Sequence, residues 1–203
     1  AMAVAEINNG YTTTNDVSRI VSSINNTPKK KLFQILSPFE QYNVYGTLTG
    51  LLNDFVGDIE IQSSVGVANV DLLFRDEPGD RGQYFSGHVS TDQFNIGQII
   101  QTPILGHVTM DATVEAKIAK EWYGGNNIKL HKLKIKELDF NKYNYRDIFA
   151  EGTYTSNSFD GKIVSNDPNL NMMFQGLFTF NKESSNKYKF YAEIPYANLK
   201  ELN

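Results

Sequence analysis

The feature that most constrains the fold of this chain is a two-residue alternation of apolar and polar side chains. It is strictest in "ILGHVTMDATVEAKI", residues 104 to 118, where every second position is apolar or glycine. Successive side chains of a β-strand point to opposite faces, so this alternation predicts a strand with one apolar and one polar face. The apolar positions of this strand are Ile104, Val108, Met110, Ala112, Val114, Ala116 and Ile118.

The same alternation recurs along most of the chain from Tyr42 onward. Turn-forming clusters such as "SSVG", "YGGNN" and "NDPN" separate the alternating stretches, and residues 42 to 196 show no helical period of useful length. The pattern predicts about ten antiparallel strands joined by hairpins, without βαβ crossovers. Further apolar positions on these strands are Val70, Leu72 and Phe74, then Leu170, Met172 and Phe174, and finally Phe190 and Ile194.

Residues 1–40 follow a different pattern. Apolar residues at helical spacing predict one short amphipathic helix over 14–26, and Pro28 at a first-turn position predicts a second over 28–37. We therefore expect an N-terminal helical segment that plugs one end of the structure, or an ordinary chain end, followed by a β-sheet domain over 41–203.

A comparison of the sequence with itself predicts an internal repeat. The stretch 45–74 matches 151–180, with Gly46 and Thr47 aligned to Gly152 and Thr153. The segment 85–100 then matches 190–203. These matches predict a repeat of roughly 105 residues, with copies at about 45–100 and 151–203, and hence an elongated sheet that grows along one axis.

Composition excludes several classes of function. The 19 Lys and Arg residues are scattered among 23 Asp and Glu residues for a net charge of −4, so no basic stripe is available and nucleic acid is not an expected partner. The absence of cysteine from the 203 residues excludes disulfides, thiolate metal sites and cysteine nucleophiles.

The sequence contains no recognisable catalytic or metal-binding motif. His88, His107 and His131 have no metal-ligand spacing and are predicted to face solvent. The acidic stretch "RDEPGDRG", residues 75 to 82, is interpreted as a hairpin tip because its spacing is not that of an EF-hand. We expect a protein that is not an enzyme and has neither cofactor nor metal. A pair of carboxylates brought together only by folding is the exception that sequence leaves open.

Three stretches carry a resemblance to a known group of proteins: "GTLTGLLNDFVGDIEIQSSVG", "FSGHVSTDQFNIGQIIQ" with its final helical turn, and "FDGKIVSNDPNLNMMFQGLFTF" with the strand after it. Together they resemble the large translocation and assembly module proteins of the TamB and AsmA-like group, over about residues 36 to 203. The resemblance implies a Gram-negative cell-envelope protein that crosses the periplasm from an inner-membrane anchor. This chain would be an interior or C-terminal-region section, and an outer-membrane barrel partner would bind through regions outside it.

The expected fold is mostly β: an elongated, curved antiparallel sheet built from the predicted repeats, with one or two short N-terminal helices. The resemblance implies that this sheet forms a β-taco or open-barrel-like groove. The expected function is a non-catalytic section of a lipid conduit, with phospholipid or another acyl-chain ligand in the groove and a role in outer-membrane assembly. The fifteen apolar positions given above would line the groove. The alternative is a structural or adhesive β-sandwich or solenoid module whose apolar face is closed by protein.

Overall fold

The computed structural model describes residues 3–13, 41–51, 53–77, 82–119, 126–180 and 185–202. These residues form eleven strands and two short helices, which we number in chain order. The strands are β1 (Ala3–Thr13), β2 (Gln41–Leu51), β3 (Asp54–Ser63), β4 (Gly66–Asp76), β5 (Gly82–Asn95), β6 (Leu105–Ala119), β7 (Asn127–Phe140), β8 (Tyr143–Thr155), β9 (Ser158–Asp167), β10 (Leu170–Thr179) and β11 (Lys187–Ala197). The helices are α1 (Ile96–Ile100), between β5 and β6, and α2 (Leu199–Leu202), after β11.

All eleven strands belong to one antiparallel sheet in which spatial order equals chain order. Each inner strand pairs with the strand before it and the strand after it, so β1 and β11 are the outer members of the described strands, and the sheet is open. The predicted fold class, a mostly β chain forming an elongated antiparallel sheet, is confirmed. The predicted repeat of roughly 105 residues stays a prediction.

Residues 3–13 differ from the prediction of an N-terminal helical segment over 1–40. Residues Ala3–Thr13 form β1, which pairs with β2 from Ala3 opposite Gly50 to Thr13 opposite Gln41. The sheet therefore begins before the predicted boundary at residue 40, because the alternation of Ala5, Ile7 and their neighbours continues that of β2. The helices predicted over 14–26 and 28–37 lie outside the described residues.

Bulges keep long strands continuous where the alternation breaks. In β5 the partners of Met110 and Val108 are Thr91 and Phe94, so one extra residue is present between them. Gln93 takes a left-handed φ of 46° there, and its side-chain amide donates to Glu137 at 3.2 Å. A bulge inserts one residue without ending the strand, so the apolar residues on both sides of it return to the same face.

Each of the two helices is preceded by an asparagine whose backbone N–H is bonded to an earlier turn. Asn95 precedes α1 and donates its backbone N–H to the carbonyl of Val65 at 2.6 Å, while Asn198 precedes α2 and donates to the carbonyl of Asn169 at 2.8 Å. Val65 lies in the β3–β4 turn and Asn169 in the β9–β10 turn. The strand before each helix is thus tied to an earlier turn in the same way.

A buried carboxylate joins the start of β8 to the turn between β9 and β10. Asp167 is 3% exposed. Its Oδ1 accepts from the Tyr143 hydroxyl at 2.7 Å and from the Asn169 N–H at 2.8 Å, and its Oδ2 accepts from the Arg146 N–H at 2.8 Å. These bonds fix the start of β8 to the β9–β10 turn. Desolvation, and then the hydrogen bond to Asp167, raise the pKa of Tyr143 because both disfavour its phenolate.

Replacement of Asp167 by Ala is expected to destabilise the fold by about 3 kcal/mol, since it leaves two backbone N–H groups and a hydroxyl without their acceptor. Asp167→Asn retains one acceptor oxygen and should cost roughly half as much. Urea denaturation followed by circular dichroism measures both, with Asn166→Ala, at an exposed neighbour, as the control. Equal stability of Asp167→Ala and the control would contradict this account.

Glycine at position 46 is required by the backbone of β2. Gly46 has a φ of 144°, and a Cβ there would overlap the backbone carbonyl oxygen of Asp58. Gly57, on the next strand, differs because a Cβ there meets only the flexible end of Leu48, at 2.6 Å from Cδ2. The strain at Gly46 has no local relief, whereas Leu48 can rotate away.

We expect Gly46→Ala to lower the free energy of unfolding by about 2 kcal/mol, and the matched variant Gly57→Ala to lower it by less than about 1 kcal/mol. Thermal and urea unfolding of the two variants side by side measure the difference. The explanation fails if Gly57→Ala is the more damaging of the two.

Candidate functional site: the apolar face of the sheet

Direct pairing places apolar residues opposite one another on all eleven strands. Following the pairs from β1 to β11 gives one uninterrupted row, which we call the central row: Ile7, Gly46, Ile59, Val70, Val89, Ala112, Leu133, Ala150, Ile163, Phe174 and Ala192. Directly opposite residues of an antiparallel pair point to the same side of the sheet. The side that carries the central row is the apolar face, and the other side is the polar face.

The row next to the central row contains five glycines. Its members, again directly opposite one another, are Ala5, Leu48, Gly57, Leu72, Gly87, Val114, Leu130, Gly152, Gly161, Gly176 and Phe190. The Phe159 ring leans over two of these glycines: a Cβ on Gly161 would lie 2.5 Å from its Cζ, and one on Gly152 would lie 3.2 Å from its Cε2. Because these glycines have no side chain, aromatic rings can lie close to the backbone there, and this row rises less above the sheet than its neighbours.

Aromatic rings dominate the following row. From β2 to β11 it reads Gly50, Phe55, Phe74, Phe85, Ala116, Ile128, Tyr154, Phe159, Phe178 and Tyr188. Phe74 lies between Phe55 and Phe85 with ring centroids 5.0 and 5.1 Å apart, and Phe178 lies 5.5 Å from Tyr188. Such distances are typical of attractive aromatic pairs. The three rows form an apolar band that crosses the whole sheet.

Two buried hydroxyl groups on the apolar face make their hydrogen bonds within the sheet. Thr91, on β5, is 7% exposed and donates its hydroxyl to the Val108 carbonyl at 3.1 Å. Ser165, on β9, is fully buried and donates its hydroxyl to the Leu170 carbonyl at 2.8 Å. Both hydroxyls point into the backbone, so neither offers a free polar group to a molecule lying on this face.

Most of the predicted lining residues lie together on the apolar face. The pairing places there Val70, Leu72, Phe74, Val108, Met110, Ala112, Val114, Ala116, Ile118, Leu170, Met172, Phe174 and Phe190. Ile194 lies at the β11 bulge, between the residues that pair with Asn171 and Met173. The prediction for Ile104 is wrong: it lies in the turn before β6, and a bulge between Leu105 and Val108 puts Leu105 opposite Phe140 instead.

Sequence reasoning missed the contribution of β7 to this face. The pairing with β6 and β8 places there Ile128, Leu130, Leu133, Ile135, Leu138 and Phe140. In the sequence "LHKLKIKEL" two polar residues twice separate apolar ones, which hides the two-residue period. Each interruption coincides with a bulge. The sequence signal for this strand is therefore an alternation that continues with an apolar residue after each pair of polar residues.

The apolar face stays partly open to solvent. Within the central row only Ala112 is buried, at 7% exposed, and the other members remain half-buried or exposed. Tyr154 is 45% exposed and Phe190 is 57% exposed. In the part of the chain that the structure describes, every ring contact joins neighbouring strands or residues of one strand. No second layer of described residues covers the band.

The polar face carries the three histidines, each beside a carboxylate of a neighbouring strand. His88 lies 3.0 Å from Asp111, and His131 lies 3.3 Å from Glu115. His107 and Asp139 are also 3.3 Å apart, and both remain more than 40% exposed. Among the described residues no three His, Asp or Glu side chains come together as a possible metal-ligand set. These contacts agree with the prediction of solvent-facing side chains.

A shallow depression of about 340 Å³ lies on the polar face over β2 to β5. Asp58 and Asp71 line it and stand directly opposite each other, with Val56 and Leu73 beside them. Catalysis by a carboxylate pair requires an environment that keeps one of them protonated, usually through burial. Both of these side chains are exposed, so the depression has the character of an ordinary polar surface.

Asp139 makes the stability of the sheet depend on pH. The hydrogen bond that Asn144 donates at 2.8 Å, with smaller contributions from His107, holds the pKa of Asp139 below its ordinary value of 3.8, and partial burial opposes this only in part. A lowered folded-state pKa adds stability that is fully present above the unfolded-state value and is lost as pH falls through the folded-state value.

Asp139→Asn is therefore expected to be less stable than the wild type at pH 7, with a gap that closes as pH falls below 3.8. Because the Asp139 side chain is 43% exposed, the gap should be only about 0.5 kcal/mol. Urea unfolding over a series of pH values measures it, and Asn144→Ala, which removes the main donor, should give a similar loss. A gap that is constant with pH would contradict this assignment.

Comparison of the chain with known proteins gives no match to a protein-family model, to a curated protein or to a solved structure. None of the helices in the described ranges combines the length and the apolar character needed to cross a bilayer. The features that bear on function are thus those of the sheet itself: one apolar band across eleven strands, partly open to solvent, and a polar face of exposed charges and hydroxyls.

Proposed function

We propose that this chain binds acyl chains on its apolar face and forms one section of a conduit for phospholipid or another acyl-chain lipid. The observation that carries the proposal is the central row, which crosses all eleven strands without a polar side chain and without a covering layer among the described residues. Contiguous exposed apolar surfaces that extend across a whole sheet are uncommon on soluble proteins and mark interaction sites.

The energetics of such a face suit a lipid. Each methylene that leaves water contributes about 0.8 kcal/mol, so ten methylenes that are half-shielded by the band contribute about 4 kcal/mol. That is enough to hold a chain and little enough to release it. Because the central row and the row with the five glycines carry no hydrogen-bonding side chain, they favour no particular position, and a chain can shift along them.

The dimensions of the sheet also support the proposal. Neighbouring strands are about 4.8 Å apart, so the ten intervals between β1 and β11 span about 48 Å. The hydrocarbon core of a bilayer, about 30 Å thick, holds two layers of acyl chains, which gives each chain about 15 Å. The band is thus about three acyl chains long, and lipids can follow one another along it.

The same proposal includes a cellular setting. The sequence resemblance to the TamB and AsmA-like group supports a place in the periplasm of a Gram-negative bacterium, within a longer, membrane-anchored protein that supports outer-membrane assembly. The alternative, a scaffold or adhesive module with a closed core, requires a layer of protein over the band, and that layer would have to come from outside the described residues.

Photocrosslinking from single positions tests which occupant the band has. A photoreactive amino acid at Phe174, in the central row, or at Met110 is expected to capture lipid when the protein is expressed in a Gram-negative envelope. At Gln175, exposed on the polar face of the same strand as Phe174, it is expected to capture none. Mass spectrometry of the purified adducts identifies the captured molecule.

Two results would count against the proposal. Adducts that contain only protein at Phe174 and Met110 would favour the scaffold alternative, because a protein layer would then cover the band. Equal lipid capture at Gln175 would show general adsorption of lipid to the protein instead of binding in the band.

A further inference from the structure

The outer edge of β11 is the most exposed long strand edge that the structure describes. Every residue from Lys187 to Tyr196 is exposed, and the strand pairs only with β10. Unpaired strand edges bind further strands readily, and proteins usually protect them with charge or proline. The side chains of β11 decide which strand fits here.

The sequence of β11 is complementary to itself in the antiparallel direction. If Tyr191 of one chain faces Tyr191 of a second copy, Phe190 faces Ala192 and Tyr188 faces Ile194. The offsets from Tyr191 are equal, so apolar-face residues meet apolar-face residues and polar-face residues meet polar-face residues. Paired antiparallel copies of one strand are related by a two-fold axis, which is the symmetry of most protein dimers.

The charges of β11 complete the match. In this register Lys189 of each chain lies directly opposite Glu193 of the other, so two opposite-charge pairs flank the axis, and Lys187 is diagonal to the same carboxylate. Both side chains lie on the polar face and are exposed. Within one chain, the only hydrogen bond described for the Glu193 carboxylate is the one donated by the Tyr191 hydroxyl, at 3.1 Å. Directly opposed charges on neighbouring strands stabilise pairing, while like charges oppose it.

Other strands fit this edge less well. If β6 paired with β11 as it pairs with β5, with Phe190 in the place of Phe85 as the predicted repeat aligns them, Lys117 would lie opposite Lys189, which is repulsive. Pro195 lacks an N–H and sits at the end of the self-paired register, opposite Lys187, so it removes no bond from the centre of the ladder. The charges of this edge thus favour its own copy over β6 in that register.

We propose that β11 is a dimerisation edge, at which two copies of this chain pair their β11 strands about a two-fold axis through Tyr191. The two sheets then become one sheet of twice the width, because the axis keeps both apolar faces on the same side. The edge is distinct from the apolar band, so this inference does not depend on lipid binding. A single strand-to-strand contact is small, and the dimer is expected to be weak and concentration-dependent.

Exchange of the charges tests the register. Sedimentation velocity over about a hundredfold range of protein concentration is expected to show a monomer–dimer equilibrium for the wild type. Lys189→Glu or Glu193→Lys alone places like charges opposite each other and should raise the dissociation constant about tenfold or more. The double variant K189E/E193K restores opposite charges and should return to within about threefold of the wild type.

The control for charge exchange is Glu151 and Lys162, which are directly opposite on β8 and β9, away from both edges. Reversal of that pair should leave the dissociation constant unchanged. Because the natural chain has no cysteine, Tyr191→Cys offers a second measurement: it should form disulfide-linked dimers under mild oxidation, since the axis brings the two sulfurs together. Gln175→Cys, exposed on the neighbouring strand, should not.

Two outcomes would overturn the inference. One is a wild-type chain that stays monomeric over the whole concentration range. The other is a dimer whose dissociation constant ignores the charge reversals and whose Tyr191→Cys variant does not crosslink, as pairing through β1 or through the apolar face would produce.

Discussion

Direct opposition of apolar residues on neighbouring strands is the constraint on which the rest of this structure depends. A shift of one residue in any pairing would turn a whole strand over, because side chains alternate with a period of two. Ile163 would then leave the central row and Val164 would replace it, with Lys162 and Ser165 changing faces as well. With ten consecutive pairings in register, each strand is positioned by both of its neighbours, and the apolar band is the sum of those pairings.

The bulges explain how this register survives a sequence that is not strictly alternating. Segments such as Thr91–Phe94, Leu130–Leu133 and Tyr145–Ile148 place two polar residues between two apolar-face residues. The first two contain a bulge, and a residue with left-handed φ lies in the first and the third, Gln93 and Asp147. A bulge costs one hydrogen bond between the strands. In return, the apolar residues on both sides of it stay on the same face of the sheet, so the apolar band is continuous.

The sequence was sufficient to predict the fold class, the antiparallel hairpins and most of the positions that share the apolar face, because β4, β6 and β10 alternate almost without interruption. It was insufficient for β7, where bulges mask the period, and for Ile104, where a bulge between Leu105 and Val108 reverses the parity. Ala3–Thr13 was missed because its alternation is short and includes "INNG", which resembles a turn. The rows depend on which residues of neighbouring strands lie opposite each other. The pattern within one strand therefore did not reveal that five glycines align beside the aromatic residues.

A single-layer sheet with a half-buried apolar face obtains less stability from its own core than a sandwich of the same length. Only Val65, Ala68, Phe74, Val108, Ala112 and Leu202 are buried apolar residues among those described. Whatever binds the folded face and not the unfolded chain therefore adds its binding free energy to the stability of the fold. For an acyl chain this linkage is graded, since each strand that it crosses shields a further part of the band. With an acyl chain in the proposed site, no single position would fix the ligand, and the sheet would be stabilised in proportion to the length of the band that is occupied.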